Sequence, residues 1–209
     1  MIRFLFPVKN IIFDLGGVIL EIDTQRSIDA FRRLGFGNFE EIFTRFKQNE
    51  LFDKLEKGQI KPNIFRNEIR KYISKNVTDH EIDTAWNAML LGFPSERIGL
   101  LKKLKKYYRT FLLSNTNEIH LESYFSILKE NFGLENLSTL FEKEYYSHQI
   151  GMKKPGIEIF KFVLTTSNLI AKETLFIDDT PQNIEVAKKT GMFVYLLKED
   201  ETIIDLFKE

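Results

Sequence analysis

The chain alternates short apolar runs with amphipathic stretches. The runs TFLLS, TLFID and FVYLL, and the segment around IIF near the start of the chain, are typical of strands that are buried on both faces of a sheet. Between them, apolar residues recur three or four positions apart, which is the spacing of a helix with one buried face. Strands that alternate with helices at this spacing predict an α/β fold, with a Rossmann-like parallel sheet and helices on both faces.

The pattern between Thr24 and about Leu91 differs, because it is helical throughout. The segments SIDAFRRLGF, FEEIFTRFKQ, PNIFRNEIRKYI and HEIDTAWNAML each place apolar residues three or four apart. We therefore predict four helices with no strand between them. Residues 23–93 are expected to form an inserted all-helical cap, and residues 1–22 and 94–209 to form the Rossmann-like core.

Polar side chains stand at the ends of several apolar runs. Asp14 follows IIF, Ser114 ends FLLS, and the pair Asp178 and Asp179 ends LFIDD. Lys154 lies in the loop sequence GMKKP. In open parallel sheets the carboxyl ends of the strands form the edge where ligands bind. We expect these carboxylates, the hydroxyl and the ammonium to converge in one crevice at that edge.

The charges of these groups predict a metal site. The three aspartates would place like charges within a few ångströms of one another, which is unfavourable unless a cation joins them. Mg²⁺ is the natural partner, because it prefers oxygen ligands and keeps positions for water and for phosphate oxygens. Lys154 balances the remaining charge, and Ser114 with the backbone amide of Asn115 offers donors for an oxyanion. The combination suits phosphoryl transfer.

Composition narrows the classes of function. Lys plus Arg and Asp plus Glu number 30 each, so the net charge favours neither nucleic acid nor an anionic membrane as a partner. No apolar stretch approaches the ~20 residues that a membrane-spanning helix needs. The sequence has no cysteine, which excludes disulfides and thiol catalysis and is consistent with a reducing cytoplasm. We expect a cytoplasmic protein that acts on a small-molecule phosphate ester, without a nucleic-acid or membrane partner.

Together these motifs resemble those of the haloacid dehalogenase superfamily, specifically its phosphatase branch with a helical cap inserted after the first strand (subfamily I). The resemblance spans nearly the whole chain. It implies that Asp14 is the nucleophile, which forms an aspartyl-phosphate. It also implies that Ser114 and the backbone amide of Asn115 bind the transferred phosphoryl group. Lys154, which precedes Pro155, would screen charge between the nucleophile and the phosphate.

The resemblance also implies the ligands of Mg²⁺. Asp14, the backbone carbonyl of Gly16 and the acidic pair would hold the ion. Within that pair we expect Asp179 to ligate directly and Asp178 to act more often through water. Asn183, four residues after Asp179, matches a polar position that supports the lysine or the acids.

Gly16 departs from the usual first motif of the superfamily, which has a second aspartate two residues after the nucleophile as acid and base. General acid catalysis typically contributes ~10²–10⁴-fold, so we expect slow turnover of esters with poor leaving groups such as simple alcohols. Hydrolysis should slow least for esters whose leaving group is an anomeric sugar hydroxyl, a phenol or a carboxylate. Relatives with the same Asp-Leu-Gly opening are thought to act on sugar phosphates, so the resemblance implies a small phosphorylated metabolite.

Two interpretations of Trp86 stay open. Trp86 lies in the last predicted cap helix, where the resemblance implies a substrate-binding residue, and core packing of its ring is an equal alternative. His80, His120 and His148 show no metal-ligand spacing, and we assign them no role.

We therefore predict a Mg²⁺-dependent phosphomonoester hydrolase with two alternatives. The first is a 2-haloacid dehalogenase, which uses the same aspartate chemistry at carbon and needs no metal; Asp178 and Asp179 argue against it. The second is a weakly active or non-catalytic phosphoryl-binding regulator that lost its general acid at Gly16.

Overall fold

The computed structural model describes residues 8–36, 50–73 and 75–208. The predicted helix over FEEIFTRFKQ lies outside these residues. The described elements are, in chain order, β1 (Asn10–Phe13), β2 (Glu21–Ile22), α1 (Thr24–Arg33), α2 (Leu51–Glu56), α3 (Pro62–Arg70), α4 (Asp79–Asn87), β3 (Leu90–Gly92), α5 (Ser95–Leu104), β4 (Arg109–Ser114), α6 (Glu118–Phe132), β5 (Lys143–Tyr146), α7 (Ser147–Ile150), α8 (Ile157–Thr166), a 3₁₀ turn (Ala171–Glu173), β6 (Thr174–Asp178), α9 (Pro181–Lys188), β7 (Phe193–Leu196) and α10 (Ile203–Leu206).

The main sheet has five parallel strands in the order β5-β4-β1-β6-β7. All four residues of β1 are buried, and successive side chains point to opposite faces of the sheet. Ile11 and Phe13 pack on one face, against α5 and α6, whereas Ile12 packs on the other face, against α8 and α9. The predicted α/β fold with helices on both faces of a parallel sheet is confirmed.

Helices α1 to α4 share a separate apolar cluster, centred on Phe31, Phe65 and Ile82. The chain enters this region through β2 and leaves it through β3, and these two short strands pair antiparallel. The sequence pattern did not predict β3, because a short apolar run such as LLG is ambiguous between a helix end and a strand. This two-stranded ribbon of β2 and β3 lies near the two ends of residues 23–93, which are the predicted cap. Its placement supports that division of the chain, which stays a prediction. Among the described residues, no helix combines the length and apolar content that crossing a membrane requires.

A second contact joins the cap to the core, far from the ribbon in sequence. Gly58 follows α2 in the left-handed conformation, and a Cβ at this position would lie 2.1 Å from the carbonyl oxygen of His148 in α7. Beside it, the ammonium of Lys153 forms ion pairs with Asp53, at 3.2 Å, and with Glu56. Lys153 lies in the loop between α7 and α8 and both acids belong to α2, so the helices of the predicted cap contact the rest of the chain here as well as at the ribbon.

The contact at Gly58 gives a test of cap docking with a matched control. Gly133 has nearly the same φ angle, +65° against +64°, but no atom lies within 4 Å of its hypothetical Cβ. Gly133→Ala should cost ~1–2 kcal/mol for the left-handed backbone alone. Gly58→Ala should cost a further ~1–3 kcal/mol, because the methyl group forces the cap loop away from His148. Urea unfolding of both variants measures the difference, and equal losses would show that the close contact is not needed for stability.

Candidate active site

Three of the predicted site residues lie at the carboxyl ends of adjacent strands. Asp14 directly follows β1, Ser114 ends β4 and Asp178 ends β6, and β1 lies between the other two strands. Lys154 reaches the same edge from the loop between α7 and α8. Asp179 is the next residue after β6. The topology therefore brings together residues that are 165 positions apart, counting from Asp14 to Asp179.

The ammonium of Lys154 lies between two carboxylates. Its Nζ is 2.7 Å from Oδ1 of Asp14 and 2.6 Å from Oδ2 of Asp178, and the lysine side chain is 1% exposed. Burial lowers the pKa of Lys154, but the attraction of the two carboxylates outweighs it and raises the pKa above its ordinary value. The lysine is therefore charged, and it is fixed between the two acids.

Asp178 is fully buried and has partners on both oxygens. In addition to Lys154, it accepts hydrogen bonds from the backbone N–H of Thr180 at 2.8 Å and from Nδ2 of Asn183 at 2.9 and 3.0 Å. Asn183 therefore contacts Asp178 of the acidic pair, and its supporting role stays a prediction. Since its oxygens are already occupied, Asp178 is placed to orient Lys154 more than to offer a free ligand atom.

Asp179 lies against the second glycine of the Gly-Gly turn. A Cβ on Gly17 would come within 2.0 Å of Oδ2 of Asp179, and Gly17 has a φ angle of +74°. Any other residue would displace this carboxylate as well as strain the backbone. Gly17 was missed as a site residue; the Gly-Gly pair directly after Asp14 was its signal in the sequence.

The three carboxylates form a cluster that suits a hard divalent cation. Asp14, Asp178 and Asp179 each offer one oxygen within 4.8 Å of the others. Burial, reinforced by the charges of Asp178 and Asp179, raises the pKa of Asp14 to about 7 although Lys154 lowers it. Burial and the charge of Asp178 also raise the pKa of Asp179. One ammonium thus leaves the cluster short of positive charge, and an all-oxygen donor set of this kind fits Mg²⁺.

Backbone groups around the cluster complete the donor set. The N–H groups of Leu15, Gly16 and Asn115 donate to no atom of the described residues, and all three residues line the same cavity. The Gly16 carbonyl and the Ser114 hydroxyl likewise have no hydrogen-bond partner within the described part of the chain. Free N–H groups from two loops form a cradle for an oxyanion, and a free carbonyl is a ligand type that Mg²⁺ accepts.

The side chain of Asn115 has a separate contact. Its Nδ2 donates to the carbonyl of Lys154 and its Oδ1 accepts from the N–H of the same residue, both at 2.9 Å. This pair of hydrogen bonds ties the end of β4 to the lysine loop. Asn115 therefore positions Lys154 with its side chain and leaves its backbone N–H free.

Cap residues close the cavity, whose volume is about 280 Å³. Trp86 lines it, and the indole also stacks on Phe52 at 5.2 Å and packs on Phe65 at 5.4 Å. The two interpretations of Trp86 are therefore compatible, because one edge of the ring belongs to the cap core and another borders the cavity. Glu56 and Met89 also line the cavity from the cap side.

His120 lines the same cavity from the core side, a position that the sequence pattern did not single out. It lies in the first turn of α6, where its backbone N–H donates to the capping side chain of Asn117 at 3.1 Å. The one available signal was its place six residues after Ser114, in a helix that starts at the carboxyl edge of the sheet. Burial lowers the pKa of the imidazole to about 3, so the ring is neutral.

Comparisons with known proteins agree with this geometry. The family model for haloacid dehalogenase-like hydrolases matches residues 8–191. A D-ribitol-5-phosphate phosphatase of Bacteroides thetaiotaomicron is 35% identical over 188 residues, which are 88% of this chain and 89% of that protein.

Two solved structures are also similar over nearly their full length. A HAD family enzyme of Bacteroides thetaiotaomicron, in complex with magnesium and inorganic phosphate, has a TM-score of 0.86 at 39% identity and covers 96% of this chain and 100% of its own. A predicted HAD-like family hydrolase from Porphyromonas gingivalis has a TM-score of 0.84 at 33% identity, covering 97% and 99% of the two chains. With its predicted catalytic groups gathered at one sheet edge and a family model matched over most of its length, the chain belongs to the haloacid dehalogenase-like hydrolases.

Proposed function

We propose that this protein is a Mg²⁺-dependent phosphomonoester hydrolase that works through an aspartyl-phosphate on Asp14. The observation that carries the proposal is the buried Lys154, whose ammonium contacts both Asp14 and Asp178 beside a cradle of free backbone N–H groups. A carboxylate nucleophile, a fixed cation and an oxyanion cradle are what phosphoryl transfer needs, because its catalysis is mainly positioning and charge stabilisation.

The relatives support a small phosphorylated metabolite, such as a sugar or polyol phosphate, as the substrate. One acts on D-ribitol 5-phosphate, and another binds magnesium and inorganic phosphate. A cavity of about 280 Å³ leaves room for a small leaving group above the phosphate cradle. A cytoplasmic location stays a prediction from the sequence.

In the proposed mechanism, a carboxylate oxygen of Asp14 attacks phosphorus in line with the ester oxygen. An O–P bond to Asp14 forms while the ester O–P bond breaks, and its electron pair leaves with the alcohol oxygen. Lys154 offsets charge on the nucleophile and the phosphoryl oxygens, and the free N–H groups of Leu15, Gly16 and Asn115 hold those oxygens. In the second step the oxygen of a water molecule bonds to phosphorus while the O–P bond to Asp14 breaks, which releases inorganic phosphate and restores the carboxylate. Solvent supplies the proton of the departing alcohol, because Gly16 has no acidic side chain, and takes up the proton of the attacking water.

Mg²⁺ would be held by Asp14, the Gly16 carbonyl and Asp179, with Asp178 acting behind them. When bound, the ion offsets the negative charge of the phosphoryl group and of the clustered carboxylates. The role of Asp178 follows from its partners, since Lys154, Thr180 and Asn183 occupy its oxygens.

The nucleophile assignment gives the first prediction. Asp14→Asn should abolish hydrolysis of 4-nitrophenyl phosphate, because a neutral amide cannot attack phosphorus, and residual turnover above ~1% of native would contradict the assignment. Asp200→Asn, the same change at an exposed position, is the control and should keep native activity. Far-UV circular dichroism of both variants checks that loss of activity is not loss of fold.

Gly16 gives a second prediction, about the missing general acid. A Cβ at Gly16 meets only methyl groups of Ile22, at 3.4 and 3.8 Å, so the backbone here accepts a side chain without a close clash at its first atom. Gly16→Asp should speed alkyl phosphate hydrolysis on the order of tenfold or more, and aryl phosphate hydrolysis much less, because phenols leave without a donated proton. The ratio of the two kcat/KM values measures this. Gly99→Asp, whose Cβ meets nothing within 4 Å, is the control, and an unchanged ratio in Gly16→Asp would remove the argument.

Metal removal separates the proposal from its two alternatives. Chelation with EDTA should abolish hydrolysis of 4-nitrophenyl phosphate and added Mg²⁺ should restore it, since one lysine cannot neutralise the three carboxylates. A 2-haloacid dehalogenase would keep activity on 2-chloropropionate in EDTA. A non-catalytic regulator would neither release phosphate nor accumulate phosphoenzyme with Mg²⁺ present.

A further inference from the structure

The orientation of the His120 ring is fixed by two residues of the cap. Its Nδ1 lies 2.8 Å from Oδ1 of Asn87, and its ring stacks on Trp86 with centroids 4.8 Å apart and planes 17° from parallel. The residue is only 9% exposed, and what remains exposed borders the cavity that Asp14 and Lys154 share. An imidazole held in this way cannot turn to suit different ligands.

The contact with Asn87 also fixes the tautomer. Because Oδ1 of Asn87 is an acceptor, Nδ1 of His120 carries the proton, which leaves Nε2 as an acceptor with an available lone pair. Nε2 has no hydrogen-bond partner among the described residues, and the ring is neutral because its burial disfavours the charged form.

The neighbouring ring does not offer a second polar group to the cavity. The indole Nε1–H of Trp86 is buried and has no acceptor within the described residues, so a ligand in the cavity does not reach it, although other atoms of Trp86 line the cavity. Nε2 of His120 is therefore the polar atom that this aromatic pair presents, and an alcohol hydroxyl is a group that can donate to it.

We propose that His120 determines specificity by accepting a hydrogen bond at Nε2 from a hydroxyl group of the leaving alcohol, which therefore carries at least one hydroxyl besides the ester oxygen and is not a simple alkyl or aryl group. This inference rests on the proposed phosphatase function and adds the part of the substrate that the cap side of the cavity recognises. Asn87 is a positioning residue, since it contacts the imidazole and fixes its proton.

The experiment compares two substrates in the native protein and in His120→Phe. The phenyl ring keeps the stacking on Trp86 but has no acceptor. We expect His120→Phe to lower kcat/KM for ribitol 5-phosphate about tenfold to a hundredfold, and for 4-nitrophenyl phosphate, which has no hydroxyl on its leaving group, by less than about twofold. His120→Gln, which returns an acceptor near the position of Nε2, should recover part of the loss. His80→Phe, the same change at an exposed site of α4, should leave the ratio of the two values as in the native protein.

Substrate analogues make the test sharper. Each deoxy analogue of ribitol 5-phosphate lacks one hydroxyl, and the analogue without the recognised group should lose activity on the native protein but nothing further on His120→Phe.

Two results would overturn the inference: a ratio of the two kcat/KM values that is unchanged in His120→Phe, or native hydrolysis of the aryl ester without hydrolysis of any polyol or sugar phosphate. If the native protein hydrolyses neither the aryl ester nor any polyol or sugar phosphate, the proposed function itself is refuted.

Discussion

The site depends on one buried charge, the ammonium of Lys154. Removing an ammonium from water costs several kcal/mol, and the cost is offset only where anions and hydrogen bonds surround it closely. Asp14 and Asp178 supply the anions, and Asn115 holds the lysine backbone on both its N–H and its carbonyl. These partners lie at three separate strand ends, and the lysine itself lies in a loop. The burial of the ammonium is therefore compensated only where these strand ends and the loop come together at the edge of the sheet.

The cluster of Lys154 and the three aspartates carries an excess of negative charge. Three carboxylates face one ammonium, and burial, reinforced by the charges of Asp178 and Asp179, raises the pKa of Asp14. Free backbone N–H groups and the free carbonyl of Gly16 surround the same point. The excess of negative charge favours the binding of a cation, and the free N–H groups favour the binding of an oxyanion. A magnesium ion together with a phosphate group would supply both.

Under the proposed function, chemistry and selectivity lie on different parts of the molecule. The residues around the main sheet provide the proposed nucleophile and the charges, whereas the predicted cap provides Trp86 and, through Asn87, the orientation of His120. The cap is attached through the β2–β3 ribbon, through the contact of Gly58 with His148, and through the ion pair of Lys153 with Glu56 of α2. Because Lys153 directly precedes Lys154 in the chain, the loop that places the Lys154 ammonium in the site also forms ion pairs with α2.

The sequence by itself determined the sheet and the groups at its edge. Apolar runs followed at once by Asp14, Ser114 and Asp178 are local patterns, and parallel strands necessarily bring such ends to one side. Only the tertiary structure decided which contacts those groups make: that Asp178 is saturated by its neighbours, and that His120 is a neutral cavity residue. These properties depend on burial and on partners from distant segments, and neither leaves a periodic signal along the chain.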